Sequence, residues 1–141
     1  MDNLKNVAFQ LERYWFEEAS LHLNDNTGEQ KINIDFKPSG VYHKDNGLYK
    51  LSFVFTAWEE GKEETDFTIR LKCNGYFRFQ KAIGVEEIPG FFFPNSIAIL
   101  FPYVRAFVST LTLQANVSPM LLPTINLSPL QDALRKNTIV K

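Results

Sequence analysis

Cysteine occurs once in this chain, at Cys73, and histidine only twice, at His22 and His43. One cysteine excludes an internal disulfide, and a lone thiol with two scattered imidazoles does not compose a metal site. Both histidines read as surface residues, and Cys73, on the apolar face of an expected strand, reads as an inert buried thiol. The chain has no glycine-rich phosphate loop, no nucleophile elbow and no aspartate cluster for magnesium. No cofactor, metal or catalytic group is therefore expected. The acidic pairs Glu17-Glu18, Glu59-Glu60, Glu63-Glu64 and Glu86-Glu87 read as solvated charge. Glu17 and Glu18, adjacent on a strand, are expected on opposite faces, where they cannot act as an acid/base couple.

Neither sign of charge dominates. The chain holds 15 basic and 16 acidic side chains, a formal net charge of -1, and that balance argues against nucleic acid as a partner. The longest apolar run, Ile97 to Phe101, is far short of the about 20 residues that span a bilayer, so no stable membrane insertion is expected. The start, Met1-Asp2-Asn3-Leu4-Lys5, has no apolar signal core. Cytoplasm is the expected location.

Aromatic residues are abundant instead: 13 Phe, 5 Tyr and 2 Trp, or 14% of 141 residues. The length suits one domain, here residues 1–141, with no repeat or linker. So many large rings in a small domain suggest an apolar binding surface or a subunit interface as well as a core.

The first half alternates with period two, as half-buried strands do. Val7, Phe9 and Leu11 begin one apolar face, which is expected to run on through Trp15, Ala19 and Leu21. Asn24-Asp25-Asn26-Thr27-Gly28 is turn chemistry. Ile32, Ile34 and Phe36 follow until Pro38-Ser39-Gly40 interrupts the pattern. Tyr49, Leu51, Phe53, Phe55 and Ala57 form a third run after Asp45-Asn46-Gly47. Phe67, Ile69, Leu71 and Cys73 form a fourth, in phase with Phe77 and Phe79 beyond Gly75.

After Pro89-Gly90 the period lengthens. Asn95 or Ser96 is placed to cap a helix with Ile97, Leu100, Phe101, Val104, Val108 and Leu111 on its apolar face. Pro102 should kink it or mark a late start, and it should fray near Gln114-Ala115-Asn116. Residues 117–129 hold three prolines among Met120, Leu121, Leu122, Ile125 and Leu127. A short helix from Leu130 to Lys136 and a basic tail are expected to follow. The fold class is α+β: a four-stranded antiparallel sheet, a long helix, an irregular apolar connector and a short C-terminal helix. Long connectors without regular structure are commonly functional.

The run Ile99-Leu100-Phe101-Pro102-Tyr103-Val104-Arg105, followed by Leu122-Pro123-Thr124-Ile125-Asn126-Leu127-Ser128-Pro129, resembles the most distinctive stretch of the SecB export-chaperone family. Phe9-Gln10-Leu11-Glu12-Arg13 is similar to that family's first strand. The resemblance spans residues 7 to 134 in order and is specific between 95 and 130. It implies a chaperone without nucleotide that binds unfolded polypeptide clients in apolar grooves, assembled as a homotetramer, a dimer of dimers. In the export pathway such proteins pass clients to the motor SecA.

The client groove is expected between the second strand and the Met120–Leu134 segment. Ile34, Phe36, Met120, Leu122, Ile125, Leu127, Leu130 and Leu134 are its candidate lining. Ile69, Leu71, Phe101, Val104, Val108 and Leu111 present more apolar surface than one short sheet is expected to cover, and are assigned to the subunit interface. The family docks SecA on an acidic outer sheet face. Its matching positions here are Glu18, His22, Thr68 and Arg70, so one negative charge remains and SecA binding is expected to be weak. The loop from about Leu23 to Lys31 is shorter than the family's crossover loop, and the connector after the long helix is longer.

Three other readings stand beside the export chaperone. One is a SecB-like chaperone dedicated to a single client, such as an antitoxin. Another is a carrier of an apolar small molecule between sheet and helix. A hot-dog thioesterase is the enzymatic reading, but its long helix comes early in the chain, whereas here it follows the strands.

Overall fold

The computed structural model describes residues 8–25 and 31–141. Met1 to Val7 and the turn residues Asn26, Thr27 and Gly28 lie outside them. Four long strands come first: β1 (Phe9–Leu21), β2 (Ile32–His43), β3 (Leu48–Glu59) and β4 (Ile69–Phe79). Two helices follow, α1 (Phe92–Gln114) and α2 (Leu127–Lys136), and then a short strand, β5 (Thr138–Val140). The sheet order is β1-β4-β3-β2-β5. The first four strands pair antiparallel, whereas β5 runs parallel to β2 over Gly40–Tyr42. A fifth strand thus stands where a basic tail was expected.

Period-two alternation puts Tyr49, Leu51, Phe53, Phe55 and Ala57 of β3 beside Ile69, Leu71, Cys73, Phe77 and Phe79 of β4, all buried. Helix α1 covers this face with Phe92, Phe93, Ile97, Leu100, Phe101, Val104 and Val108. Phe92 sits at the middle of an aromatic cluster, its ring 4.8 Å from Phe9, 4.7 Å from Tyr49 and 4.9 Å from Phe79. Full burial of one such ring stabilises the fold by about 1.5–3 kcal/mol. At Gly75 a side chain would meet the Leu100 methyls, so the bare backbone lets α1 approach β4 closely. By length and composition α1 is long and apolar enough to cross a membrane, which the run Ile97–Phe101 alone did not reveal. Here its buried face is the roof of the sheet.

Several expectations change. The register of β1 against β4 slips between Leu11 and Arg13 and again between Phe16 and Glu18. Each bulge inserts one residue and flips the alternation. Tyr14 and Phe16 therefore join Phe9 and Leu11 on the helix side, and Trp15 lies outside, donating its indole N–H to the Tyr76 hydroxyl at 3.3 Å. Glu17 and Glu18 fall on the same outer face, not on opposite ones. Glu17 accepts from Asn74 and pairs with Lys72, while Glu18 pairs with Arg70. β2 runs straight through Pro38 and Gly40, because proline's missing N–H is harmless on the side of an edge strand that has no partner.

Helix α1 starts at Phe92, before Asn95 and Ser96, and its N-cap Phe91 makes no side-chain capping bond. Burial of Phe92 and Phe93 fixes that end; Ser96 instead bonds back to the Phe93 carbonyl. Pro102 lies inside the helix without ending it. α2 starts at Leu127, with Asn126 accepting the Ser128 amide as N-cap and Pro129 in the first turn. Ile69, Leu71, Val104 and Val108 have no exposed surface at all, and Phe101 very little. These residues are covered within one chain, so the argument that assigned them to a subunit interface is corrected; of the six, only Leu111 is half-buried.

Candidate binding cleft

Between β2, the connector and α2 lies an open cleft of about 460 Å³, lined by Ile34, Asp35, Phe36, Pro123, Thr124, Ile125, Asn126, Pro129, Leu130 and Ala133. Its floor is made by strand alternation. Ile34 and Phe36 share the helix side of β2, and the Phe36 ring stands 5.4 Å from Phe53 and 5.7 Å from Phe101. Its far wall is made by Pro123, Thr124 and Ile125 of the connector and by Pro129, Leu130 and Ala133 of α2.

Polar ties from one side of α1 hold the connector in place. The Arg105 guanidinium donates to the Leu122 carbonyl at 3.2 Å, and the Ser109 hydroxyl donates to the Met120 carbonyl at 3.2 Å. The Met120 amide donates to the Thr112 hydroxyl at 2.9 Å. Residues 105, 109 and 112 are spaced by a helical turn, so they form one row. Thr112 itself is buried, and its hydroxyl donates to the Val108 carbonyl. Of this row the sequence singled out only Arg105. The signal that was available is three hydrogen-bonding side chains at i, i+4 and i+7 beside a proline-rich segment.

The expected lining divides in two. Ile34, Phe36, Ile125 and Leu130 come together around the cleft. Leu122 and Leu134 are buried in the core, while Met120 and Leu127 are half-buried against it without lining the cleft. Leu121 is the most solvent-exposed large apolar residue described, at 80%. Pro123, Thr124, Asn126, Pro129 and Ala133 were not anticipated as lining.

One edge of β2 is open beside the cleft. The Gly40 amide donates to the Asn137 carbonyl, and the Tyr42 carbonyl accepts from the Lys141 amide. Even-numbered residues of β2 thus aim their backbone groups away from β3. By the period of a strand, those of Ile34, Phe36 and Pro38 point the same way. Among the described residues no further strand pairs with them. The Phe36 amide is occupied by the Asp35 carboxylate at 3.0 Å, and Pro38 has no N–H. The edge is therefore partly blunted.

A different set of residues meets on the outer face of the sheet. Glu18 and Arg70 form an ion pair at 3.0 Å. The His22 amide donates to the Thr68 carbonyl, and the His22 ring stacks on Phe67. The four positions compared with the SecA-docking face are thus neighbours, and the carboxylate among them is already neutralised. Arg78 pairs with Glu12, and Lys37 with Glu64, on the same face.

A mixed sheet with both helices on one face, and a cleft between β2, a proline-containing connector and α2, define the class as an α+β protein. Residues 5–137 match the family described as Preprotein translocase subunit SecB, and the chain belongs to the SecB family. An uncharacterized protein of Methanocaldococcus jannaschii is 50% identical over 125 residues, covering 89% of this chain and 76% of that one. The protein-export protein SecB of Alcanivorax borkumensis is 28% identical, covering 96% and 90%. Among solved structures, the Mycobacterium tuberculosis SecB-like chaperone Rv1957, in complex with a ChAD peptide from the HigA1 antitoxin, superposes with a TM-score of 0.65. It shares 15% identity and covers 88% of this chain and 91% of its own. Family membership supports a chaperone role.

Proposed function

We propose that this protein is a nucleotide-independent cytoplasmic chaperone that holds an extended, non-native polypeptide in the cleft between β2, the connector and α2. The observation that carries this reading is the apolar cleft lying directly against an open strand edge. Side chains of a client enter the cleft, gaining about 25 cal/mol per Å² of apolar surface covered. Its backbone bonds to the outward-facing carbonyls and amides of the edge, so little client sequence is read. The test is the pair Ile34→Ser and Ile125→Ser, measured by suppression of client aggregation. Affinity for an unfolded client should fall about tenfold or more, as one or two lost apolar contacts imply. Normal suppression by a folded variant would exclude the cleft.

The homotetramer is part of the proposal, with a changed interface. The outer side of α1 presents Ala98, Ile99, Pro102, Tyr103, Ala106 and Leu113 to solvent. Arg105 is the one charged residue in the whole helix. A helix that is apolar on both sides calls for cover on both, and a second copy of the same face is the occupant that closed symmetry offers. Light scattering should give a tetramer that Tyr103→Glu dissociates. A monomeric wild type at micromolar concentration would overturn this.

A client-dedicated role is the second reading, favoured by the Glu18–Arg70 pair, which leaves little free negative charge for a basic partner such as SecA. The antitoxin peptide bound to the mycobacterial protein supports it too. SecA should bind weakly, and Arg70→Glu with His22→Glu should strengthen binding. Tight, salt-sensitive binding by the unaltered protein would favour the export reading.

A further inference from the structure

β5 occupies the same edge of β2 that lies open beside the cleft. It pairs with Gly40–Tyr42 only; below it no further strand pairs with Ile32, Ile34 or Phe36 on that side among the described residues, while Pro38 between them is buried. β5 is held weakly by apolar contact, since Ile139 is 55% and Val140 42% exposed. What holds it is polar. The Gly40 amide donates to the Asn137 carbonyl at 3.1 Å, the Lys141 amide to the Tyr42 carbonyl at 2.9 Å, and the Lys44 amide to the Lys141 carbonyl at 3.2 Å. Beneath them the Tyr49 hydroxyl bonds to the Thr138 hydroxyl, which donates to the Leu134 carbonyl at 2.7 Å.

That chain of hydroxyls joins three elements: β3, β5 and the last turn of α2. It exists because residue 40 is glycine. A side chain there would occupy the place of the Tyr49 ring tip, so the bare backbone of β2 is what lets the hydroxyl pass to Thr138. Leu134 is buried, so the carbonyl at the end of the chain belongs to the residue that anchors α2. The upstream face of α2, through Pro129, Leu130 and Ala133, is one wall of the cleft.

We infer that β5 is an intramolecular stand-in for a client strand, latched through Tyr49 and Thr138, and that its release lengthens the open edge of β2 and frees α2 to widen the cleft. The inference rests on the proposed client-binding role. A short client segment lies along the free part of the edge with the latch closed; a longer one competes with β5 for Gly40 and Tyr42. A strand paired over three residues, with exposed apolar side chains, belongs to the least stable part of a fold, where such exchange is cheapest.

Thr138→Val removes the middle hydroxyl while keeping shape, and strands the Tyr49 hydroxyl. Tyr49→Phe with Thr138→Val removes both partners and leaves nothing stranded. Two measurements separate the latch from the function. In the free protein, hydrogen exchange at the Gly40 and Lys141 amides should rise about threefold to tenfold in Thr138→Val, the range one lost hydrogen bond sets, with the β3–β4 amides unchanged. Unchanged exchange at both overturns the latch, whatever the client result. With reduced, carboxymethylated α-lactalbumin as an unfolded chain, Thr138→Val should bind about threefold to tenfold more tightly, because less work is needed to displace β5. The same two amides should lose protection in the wild-type complex. Equal affinity with both amides still protected overturns the stand-in role even if the latch itself is real. Failure of every variant and the wild type to bind this chain overturns the client reading and the stand-in role together, leaving the exchange result as the measure of the latch alone.

Discussion

The two ends of the inner sheet face are held together by different physics. Around Phe92, rings from β1, β3, β4 and α1 interlock with almost no polar atom among them. Around the cleft, side chains of α1 grip the connector backbone through Arg105, Ser109 and Thr112. Apolar burial is strong and indifferent to direction, so the first region sets stability. Hydrogen bonds exchanged for water contribute little net free energy but fix geometry. The second region is therefore shaped without being made rigid.

Phe92→Ala should break the contrast most severely. It leaves a cavity at the middle of the cluster and should cost about 3–5 kcal/mol of unfolding free energy in denaturant titration. A loss below about 1 kcal/mol would mean that the cluster does not dominate stability. Thr112→Val should cost less, about 1–3 kcal/mol, because the Met120 amide loses its acceptor. Its distinguishing mark is faster hydrogen exchange at Met120 while the β3–β4 amides stay protected; a uniform rise across the sheet would show that connector and core unfold as one.

Alkali sharpens the comparison further. Burial pushes the Cys73 thiol from its usual 9.0 up to about 12. It likewise pushes the Tyr49 hydroxyl from 10.0 up to about 12, against the opposing bond to Thr138, and raises Tyr42. The folded chain keeps protons that the unfolded chain gives up, so stability is full below about pH 9 and declines as pH rises toward 12. Thermal melts should show this decline, beginning later in Cys73→Ala. The smallest effect is acidic. The Asn74 amide, and then Lys72, hold the exposed Glu17 carboxyl below its usual 4.5. Its slight contribution is present above pH 4.5 and fades as pH falls through the lowered value, so Glu17→Gln should melt at most slightly below wild type at pH 7 and the difference should vanish in acid.

Much of the architecture was written in residue order. The alternation of β3 and β4, the long helix and the proline-rich connector are all found, since each depends on local pattern. The two bulges of β1 were not legible: nothing in Leu11-Glu12-Arg13 announces an extra residue, because the slip answers to β4, far along the chain. Pro38 read as a break because its harmlessness depends on which edge of β2 it faces. α2 could have been started earlier, from Asn126 and Pro129 together. At the cleft, Ile34, Phe36, Ile125 and Leu130 follow from periodicity beside irregular chain. Leu122 and Leu134 look the same in sequence, and only packing tells a wall from a core.

The position of β1 in the sheet carries a consequence for how the chain is made. β1 is synthesised before the other described strands, yet its partner is β4, with Phe9 against Phe79 and Leu21 against Ile69. It cannot pair until the chain through Phe79 exists, and closing so long a loop is slow. Until then Phe9, Leu11, Tyr14 and Phe16 are an unprotected apolar strand of the kind the finished protein is proposed to hold. Docking of β1 should be the last step in assembling the four antiparallel strands, ahead only of the pairing of β5, and a chain stalled before β4 emerges would itself be a client.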